Sequence, residues 1–472
     1  MGVETYKNQF KKYVNFINKY RASLNAASGS EVDANANVEN KNVTTCSGEI
    51  YKREAIGTNR LLMIEKITDL FGADLAEEYI RQLDSHEIYR HDETNPMLPY
   101  CVSITMYPFL FDGLTGIGGI SKAPKNLDSF CGGFINLVFA VASQFAGAVA
   151  TPEFLMYLDY FIRKEYGDDY YLHIDKIIYN KSIEQIIESK FQQVVYSLNQ
   201  PAAARNFQSV FWNIAYFDKP YFTGMFENFV FPDGTAPKWD SVNWIQKKFM
   251  KWFNSERLKN ILTFPVETVN LLNDGVNAVD EEWEDFAAEM WAEGHSFFMY
   301  TSDSVDSLAS CCRLKNEVTE NTFSYTLGAG GVSTGSKGVI TININRLVQN
   351  TISNNNISFE EKCALISSAV KEQVQKLHKY MIAYNEIVKD NFRARMLPVY
   401  DAGFISLEKQ YLTIGINGFV EGAEYLGIEP NVNEDYLKYG EAILKPIYEE
   451  NKKDKTKEIM FNTEFVPKMC GC

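Results

Sequence analysis

The chain has 472 residues, a net charge of −15, 46% hydrophobic and 23% charged residues, the balance of a folded chain rather than a disordered one. The acidic excess excludes a protein that works by neutralising nucleic-acid phosphates. At roughly 150 residues per domain the length allows about three domains, although a single large α/β barrel also fits it. Residues 4–25 carry Phe10, Val14, Phe16, Ile17 and Tyr20 at roughly helical spacing, so a short amphipathic helix is expected there. Residues 23–47 are rich in Asn, Ala and Ser and read as a loop or arm. Helical patterning resumes over residues 49–83. Residues 126–166 hold two apolar helical segments, broken near Thr151-Pro152, where Pro suits a first helical turn. Residues 182–196 are a further helix, with Ile183, Ile186, Ile187, Phe191 and Val194 on its apolar side. A helix rich in Trp and Phe covers residues 244–252. The runs 263–268, 338–344 and 411–415 are β-rich and lie between helical stretches such as 358–390 and 433–453. Alternating strands and helices point to an α/β sheet or barrel, and one large domain is expected.

Residues 1–12 are polar, with no apolar core of a secretory signal. The longest apolar stretch, 134–150, is interrupted by Asn136, Ser143 and Gln144 and is short for a membrane span, so it reads as a buried helix. A cytoplasmic protein without a membrane anchor is expected. The eight cysteines are Cys46, Cys101, Cys131, Cys311, Cys312, Cys363, Cys470 and Cys472, scattered too widely for a small disulfide framework. No pair of CxxC motifs supplies four zinc ligands, so no metal site is expected within the chain.

Three features carry chemistry. His86-Glu87 and His91-Asp92 are two His–carboxylate pairs five residues apart. They suit a ligand cluster, or more simply a polar loop with one hydrogen-bonded histidine. The glycine-rich stretch 326–338 fits neither the P-loop nor the dinucleotide pattern, because Gly follows Lys337 and Ser333 stands at the last glycine position. It reads as a loop where backbone approaches closely. Cys311-Cys312 are adjacent thiols, which rarely bond to each other. They suit either two buried thiols or one that faces a site with the other packed behind it.

Taken in order, Pro99-Tyr-Cys101, Ser310-Cys-Cys-Arg-Leu314, Ser333-Thr-Gly-Ser336 and Gly338-Val-Ile-Thr-Ile-Asn343 resemble the anaerobic (class III, glycyl-radical) ribonucleoside-triphosphate reductases. The stretches 33–38, 144–148, 231–234 and 262–266 resemble the same family. The resemblance runs from about residue 4 to Pro467. It implies a ten-stranded α/β barrel, incomplete in this chain, made of an N-terminal helix and arm (1–48), a barrel body with effector-site helices (49–467) and a short tail (468–472). The implied activity is anaerobic reduction of ribonucleoside triphosphates to 2′-deoxyribonucleoside triphosphates. A cysteine thiyl takes the 3′-hydrogen of the substrate and the 2′-hydroxyl leaves as water.

Residue by residue, Cys312 matches the thiyl position and Cys101 the second, hydrogen-supplying cysteine. His91 and Asp92, ten residues and nine residues before Cys101, match a substrate-side His-Asp pair. Ser333 stands where formate-using members often carry Asn, so a dithiol protein becomes an alternative reductant to formate. Lys122 and Lys125 resemble the site that binds deoxynucleotide and ATP effectors at a homodimer interface, the alternative being a solvated basic turn. The family's Arg-Val-x-Gly-Tyr loop and four-cysteine zinc site have no match in these residues. The resemblance therefore implies a glycyl radical supplied in trans by a C-terminal glycyl-radical polypeptide. An iron–sulfur radical-SAM activase is the implied second partner. A non-catalytic deoxynucleotide-binding protein or a truncated product is the alternative.

Overall fold

The computed structural model describes residues 3–30, 41–94, 97–201, 208–305, 307–310, 314–317, 332–353 and 356–465. Cys312, the arm at 33–38 and residues 326–331 of the glycine-rich stretch lie outside them. In chain order the helices are α1 (Val3–Ala22), α2 (Ala26–Gly29), α3 (Val43–Phe71), α4 (Ala73–Asp84), α5 (Tyr107–Asp112), α6 (Leu127–Ala142), α7 (Phe154–Tyr166) and α8 (Ile183–Leu198). There follow α9 (Lys219–Phe226), α10 (Trp239–Arg257), α11 (Glu281–Ala292), α12 (Ile344–Thr351), α13 (Phe359–Arg393), α14 (Pro398–Asp401), α15 (Phe419–Tyr425) and α16 (Glu434–Asp454). The strands that build the sheets are β1 (Ile88–Arg90), β2 (Cys101–Ser103), β3 (Val149–Ala150), β4 (Trp212–Phe217), β5 (Val266–Leu272), β6 (Phe298–Ser302), β7 (Thr334–Asn343), β8 (Gln410–Asn417) and β9 (Met460–Phe465).

Local chemistry sets many of these boundaries. Asn126 with Ser129, Ser182 with Gln185 and Ser358 with Glu361 form reciprocal capping boxes at the starts of α6, α8 and α13. Gly72, at φ +97°, breaks the expected helix 49–83 into α3 and α4. The stretch 134–150, expected to be one buried helix, is α6 up to Ala142 and then the strand β3. Pro152 lies before α7 rather than inside its first turn, which starts at Phe154. The arm expected over 23–47 contains the short capped helix α2, and α3 starts earlier than expected, at Val43.

Two compact units emerge. The first comprises Met1–Glu54, Val102–Thr334 and Pro398–Ile405. Its sheet is parallel throughout: Val102 lies opposite Val149, Val149 opposite Trp212, Asn213 opposite Val266 and Thr268 opposite Phe298. All six residues of β4 are buried, as expected for a parallel strand covered on both faces. Phe130, Phe134, Phe154 and Trp212 form an aromatic cluster over β3 and β4, with Phe134 and Phe154 centred 4.5 Å apart. The indole Nε1 of Trp212 donates to Thr151 Oγ1 at 2.8 Å, which satisfies its buried donor. Glu153 Oε2 accepts the Met106 N–H at 2.8 Å and so fixes the exit from β2 into α5. Burial pushes the Glu153 carboxyl up to about 8.

The second unit comprises Ala55–Cys101, Gly335–Leu397 and Ser406–Cys472. Strands β7, β8 and β9 run parallel, with Gly338 opposite Leu412 and Leu412 opposite Phe461, while β1 runs antiparallel to β7. Helices α13 and α16 are joined through His378. Its Nδ1 lies 2.8 Å from Asp454 Oδ2, its Nε2 lies 2.8 Å from Asn451 Oδ1, and its ring stacks on Phe461. No helix among the described residues is long and apolar enough to cross a membrane.

The register of β7 shifts between Ser336 and Gly338, and Lys337 is the residue at the irregularity. Lys337 is fully buried, and its Nζ donates to Asn385 Oδ1 at 2.9 Å. Burial pulls its amine down to about 8. The unfolded chain therefore binds more protons between pH 8 and the ordinary lysine range, so wild-type stability rises with pH across that window. Exchanging Lys337 for Met is expected to leave stability at pH 7 unchanged or raise it by roughly 1–3 kcal/mol. The margin should narrow as the pH rises above 8, in denaturant melts at several pH values. At the next residue, a Cβ on Gly338 would sit 2.8 Å from the Tyr384 ring. Gly338→Ala is expected to destabilise the chain by about 1–3 kcal/mol in the same melts.

Candidate active site

Cys101 opens β2 and is 2% exposed. Its backbone is held from two directions within the second unit. The Tyr100 N–H is shared between the carbonyls of Ser336 and Lys337, at 3.1 and 3.0 Å. The Cys101 carbonyl accepts from the side-chain amide of buried Gln410 at 3.2 Å. Gly335 and Gln410 are register partners, so both anchors lie where β7 and β8 begin. A thiol on this peptide is kept out of water on a backbone with little freedom.

His91 leaves β1 and is tied to the same strand. Its N–H donates to the Val339 carbonyl at 3.1 Å, and its Nε2 lies 2.8 Å from Thr341 Oγ1. The ring meets Tyr89 and Tyr100 edge-on, with centroids 4.8 and 5.9 Å away. Burial pulls the imidazole down to about 4, so the ring is uncharged at neutral pH. His91 and Cys101 thus share one neighbour, Tyr100. Asp92 follows with φ +55°, a left-handed conformation that non-glycine residues seldom adopt. His86 also has positive φ, and its carbonyl accepts from Asn343 Nδ2 at 3.0 Å.

Ser333 belongs to the first unit and is 3% exposed. It follows Val332, whose carbonyl accepts from Ser103 Oγ at 2.6 Å. Ser103 is two residues past Cys101, so the start of β7 and the end of β2 are joined at that point. Cys312 lies outside the described residues. The strands Ser307–Ser310 and Leu314–Glu317 on either side of it pair antiparallel, with Ser310 opposite Leu314.

Lys122 and Lys125 are exposed and precede α6. Two backbone donors of that helix start are already engaged. The Leu127 N–H donates to Glu165 Oε1 at 2.6 Å and the Ser129 N–H to Asn126 Oδ1 at 2.8 Å. An anion at this segment would meet the two ammonium groups rather than those two donors. The loop before them closes on Gly113, which lies at φ +62° and whose Cβ would sit 2.1 Å from the Ser121 carbonyl oxygen. Among the described residues no group of three or more His, Cys, Asp or Glu side chains is arranged to hold a metal ion.

Sequence reasoning missed Gln410, Tyr100 and Thr341. Thr341 had a visible signal, a polar residue inside the apolar run 338–344. Gln410 had none, because its role comes from register between distant strands.

Comparison with known proteins identifies the frame that holds these groups. The family model for anaerobic ribonucleoside-triphosphate reductase matches residues 50–468. The chain is 29% identical to the anaerobic ribonucleotide reductase from Thermotoga maritima solved with citrate in the active site, over 91% of this chain and 75% of that one, with a TM-score of 0.77. It is 28% identical to the Thermotoga maritima enzyme in complex with dATP and CTP, over 90% of this chain and 69% of that one, with a TM-score of 0.77. A further anaerobic ribonucleotide reductase aligns over 97% of this chain and 69% of its own, at 28% identity and a TM-score of 0.80. No curated protein gives a significant match. The α/β class expected from the sequence is the one observed and the one these structures share. The chain belongs to the anaerobic ribonucleoside-triphosphate reductase family.

Proposed function

We propose that this chain is the catalytic body of a reductase that converts ribonucleoside triphosphates to 2′-deoxyribonucleoside triphosphates by thiyl-radical chemistry, with Cys312 and Cys101 as the reacting thiols. The observation that carries the proposal is the anchoring of Cys101: a buried thiol whose peptide is fixed on both sides by Tyr100 and Gln410. Hydrogen-atom transfer needs reacting atoms held close and in line, and it suffers from water and stray donors. A buried cysteine on a strand end meets both needs.

In this reading Cys312 takes the 3′-hydrogen of the ribose. The 2′-hydroxyl then leaves as water once protonated, and Cys101 supplies a hydrogen to the sugar. Two electrons come from the reductant, formate or a dithiol protein. Ser333, in place of the Asn common in formate-using relatives, favours the dithiol. His91 and Asp92 orient the substrate. The imidazole is neutral, so it suits a ribose hydroxyl better than the triphosphate. Lys122 and Lys125 bind the triphosphate of a nucleotide effector, in a homodimer. A glycyl radical, when present, supplies the oxidation that makes Cys312 reactive. We place its glycine in an Arg-Val-x-Gly-Tyr loop that acts in trans and is loaded by a radical-SAM activase. The Cys101 surroundings suit that chemistry, since a buried thiol is shielded from water and stray donors.

The full chain mixed with a polypeptide carrying that loop and with its activase is expected to show a glycyl-radical signal by electron paramagnetic resonance and to reduce ribonucleoside triphosphates. Cys312→Ser and Cys101→Ser should each lower turnover by at least about a thousandfold while leaving the glycyl signal in place. Undiminished turnover in either variant contradicts the assignment. A glycyl signal without turnover in the wild-type mixture contradicts the activity itself. His91→Gln is expected to raise KM about tenfold or more. Because His91 is already neutral well above about 4, the pH profile between 6 and 8 should keep its shape in that variant. Loss of an acid limb near pH 6.5 would show that the imidazolium takes part.

A further inference from the structure

Helix α1 is anchored at one end only. Its buried side chains are Phe16 and Tyr20, both in its second half. Phe16 lies under the Arg53 guanidinium, 4.9 Å from the ring centre, and the Tyr20 hydroxyl is 2.6 Å from Thr45 Oγ1. The end of α1 is therefore held by α3. The first half buries no side chain, and Lys12 and Tyr13 reach α3 through Glu54. A stretch of that length with nothing buried is marginal as a helix in water.

That half instead displays an apolar row. Val3, Tyr6, Phe10 and Val14 are 72%, 54%, 40% and 54% exposed, at spacings of three and four residues. Tyr6 and Phe10 rings lie 6.0 Å apart, and Phe10 and Tyr13 6.2 Å, so the aromatics cover one another along the row. Single exposed apolar residues are ordinary, but a continuous row marks an interaction surface. Helical geometry sets Lys7 and Lys11 along one flank of the row. The helix carries five cations and one carboxylate in a chain of net charge −15. Two copies of α1 would repel each other, so the surface that fits it is acidic.

Helix α11 in the same unit has the complementary pattern. It holds Glu281, Glu282, Glu284, Asp285 and Glu289 and no cation. These carboxylates are exposed, and beside them Ala288, Trp291 and Ala292 are exposed as well, Trp291 to 46%. Glu282 also meets the half-buried Lys247 of α10, and Glu289 meets Lys251 in an exposed pair of low energetic worth.

We propose that α1 of one copy of this chain docks on α11 of a second copy, its apolar row covering Trp291, Ala288 and Ala292 while Lys7 and Lys11 meet the α11 carboxylates. The exchange is reciprocal about a two-fold axis, so each copy offers both surfaces to the other. Charge complementarity steers the encounter and makes it sensitive to salt. Nothing in this contact depends on the reaction proposed above.

A photo-crosslinking phenylalanine analogue at position 6 of the full chain tests it, in a mixture of unlabelled and heavy-isotope-labelled protein. The expected result is a cross-link between position 6 of one isotopic form and the peptide spanning 281–292 of the other. Lys7→Glu with Lys11→Glu should cut the yield about tenfold, and adding Glu284→Lys with Asp285→Lys should restore it. Cross-links confined to one isotopic form, or directed to another surface, overturn the proposal. So does capture of the chain by vesicles of equal phosphatidylcholine and phosphatidylglycerol without any cross-link between copies, which assigns α1 to a membrane.

Discussion

The site depends on one short stretch of backbone, Tyr100-Cys101, being held still. The Tyr100 N–H is bound by two successive carbonyls of β7, and the Cys101 carbonyl is bound by the Gln410 amide at the start of β8. Both carbonyls become available because the β7 register slips at Ser336–Gly338. The slip in turn places the Lys337 ammonium in the interior and brings the Gly338 backbone against Tyr384. The irregular strand is thus a costly piece of local structure whose benefit is the position of a thiol.

Around that link the two ends of the chemistry have different physical characters. Cys101 is a buried thiol, and His91 is an imidazole kept neutral by burial among Tyr89, Tyr100 and Thr341. Such a place favours hydrogen-atom transfer over ionic chemistry. The Lys122–Lys125 segment is exposed and cationic, which suits a polyphosphate bound from solvent. A chain of overall negative charge has few such places, and α1 is another.

Much of this was legible in the sequence where a single element carried its own signal. The helix expected over 358–390 is α13, Phe359–Arg393, opened by the Ser358–Glu361 capping box, and the one over 433–453 is α16, Glu434–Asp454. The runs 338–344 and 411–415 lie within β7 and β8. Strand β4 went unread, because all six of its residues are buried and it shows no alternation. The break between α6 and β3 was marked only by Ser143-Gln144 within the mostly apolar stretch 134–150. At the site, the order of the motifs identified Cys101 and His91 as candidates. What holds them, Gln410 and the shared Tyr100 hydrogen bond, depends on register between segments over two hundred residues apart, which no local pattern encodes.

The central claim is that a cysteine of this chain removes the 3′-hydrogen of a ribonucleotide. The most direct measurement is the single-turnover rate of the assembled enzyme with a ribonucleoside triphosphate deuterated at C3′, beside the undeuterated substrate. The account predicts a primary isotope effect on deoxynucleotide formation, with no product from the Cys312→Ser enzyme. Equal rates for the two substrates, with product still formed by that variant, would contradict it.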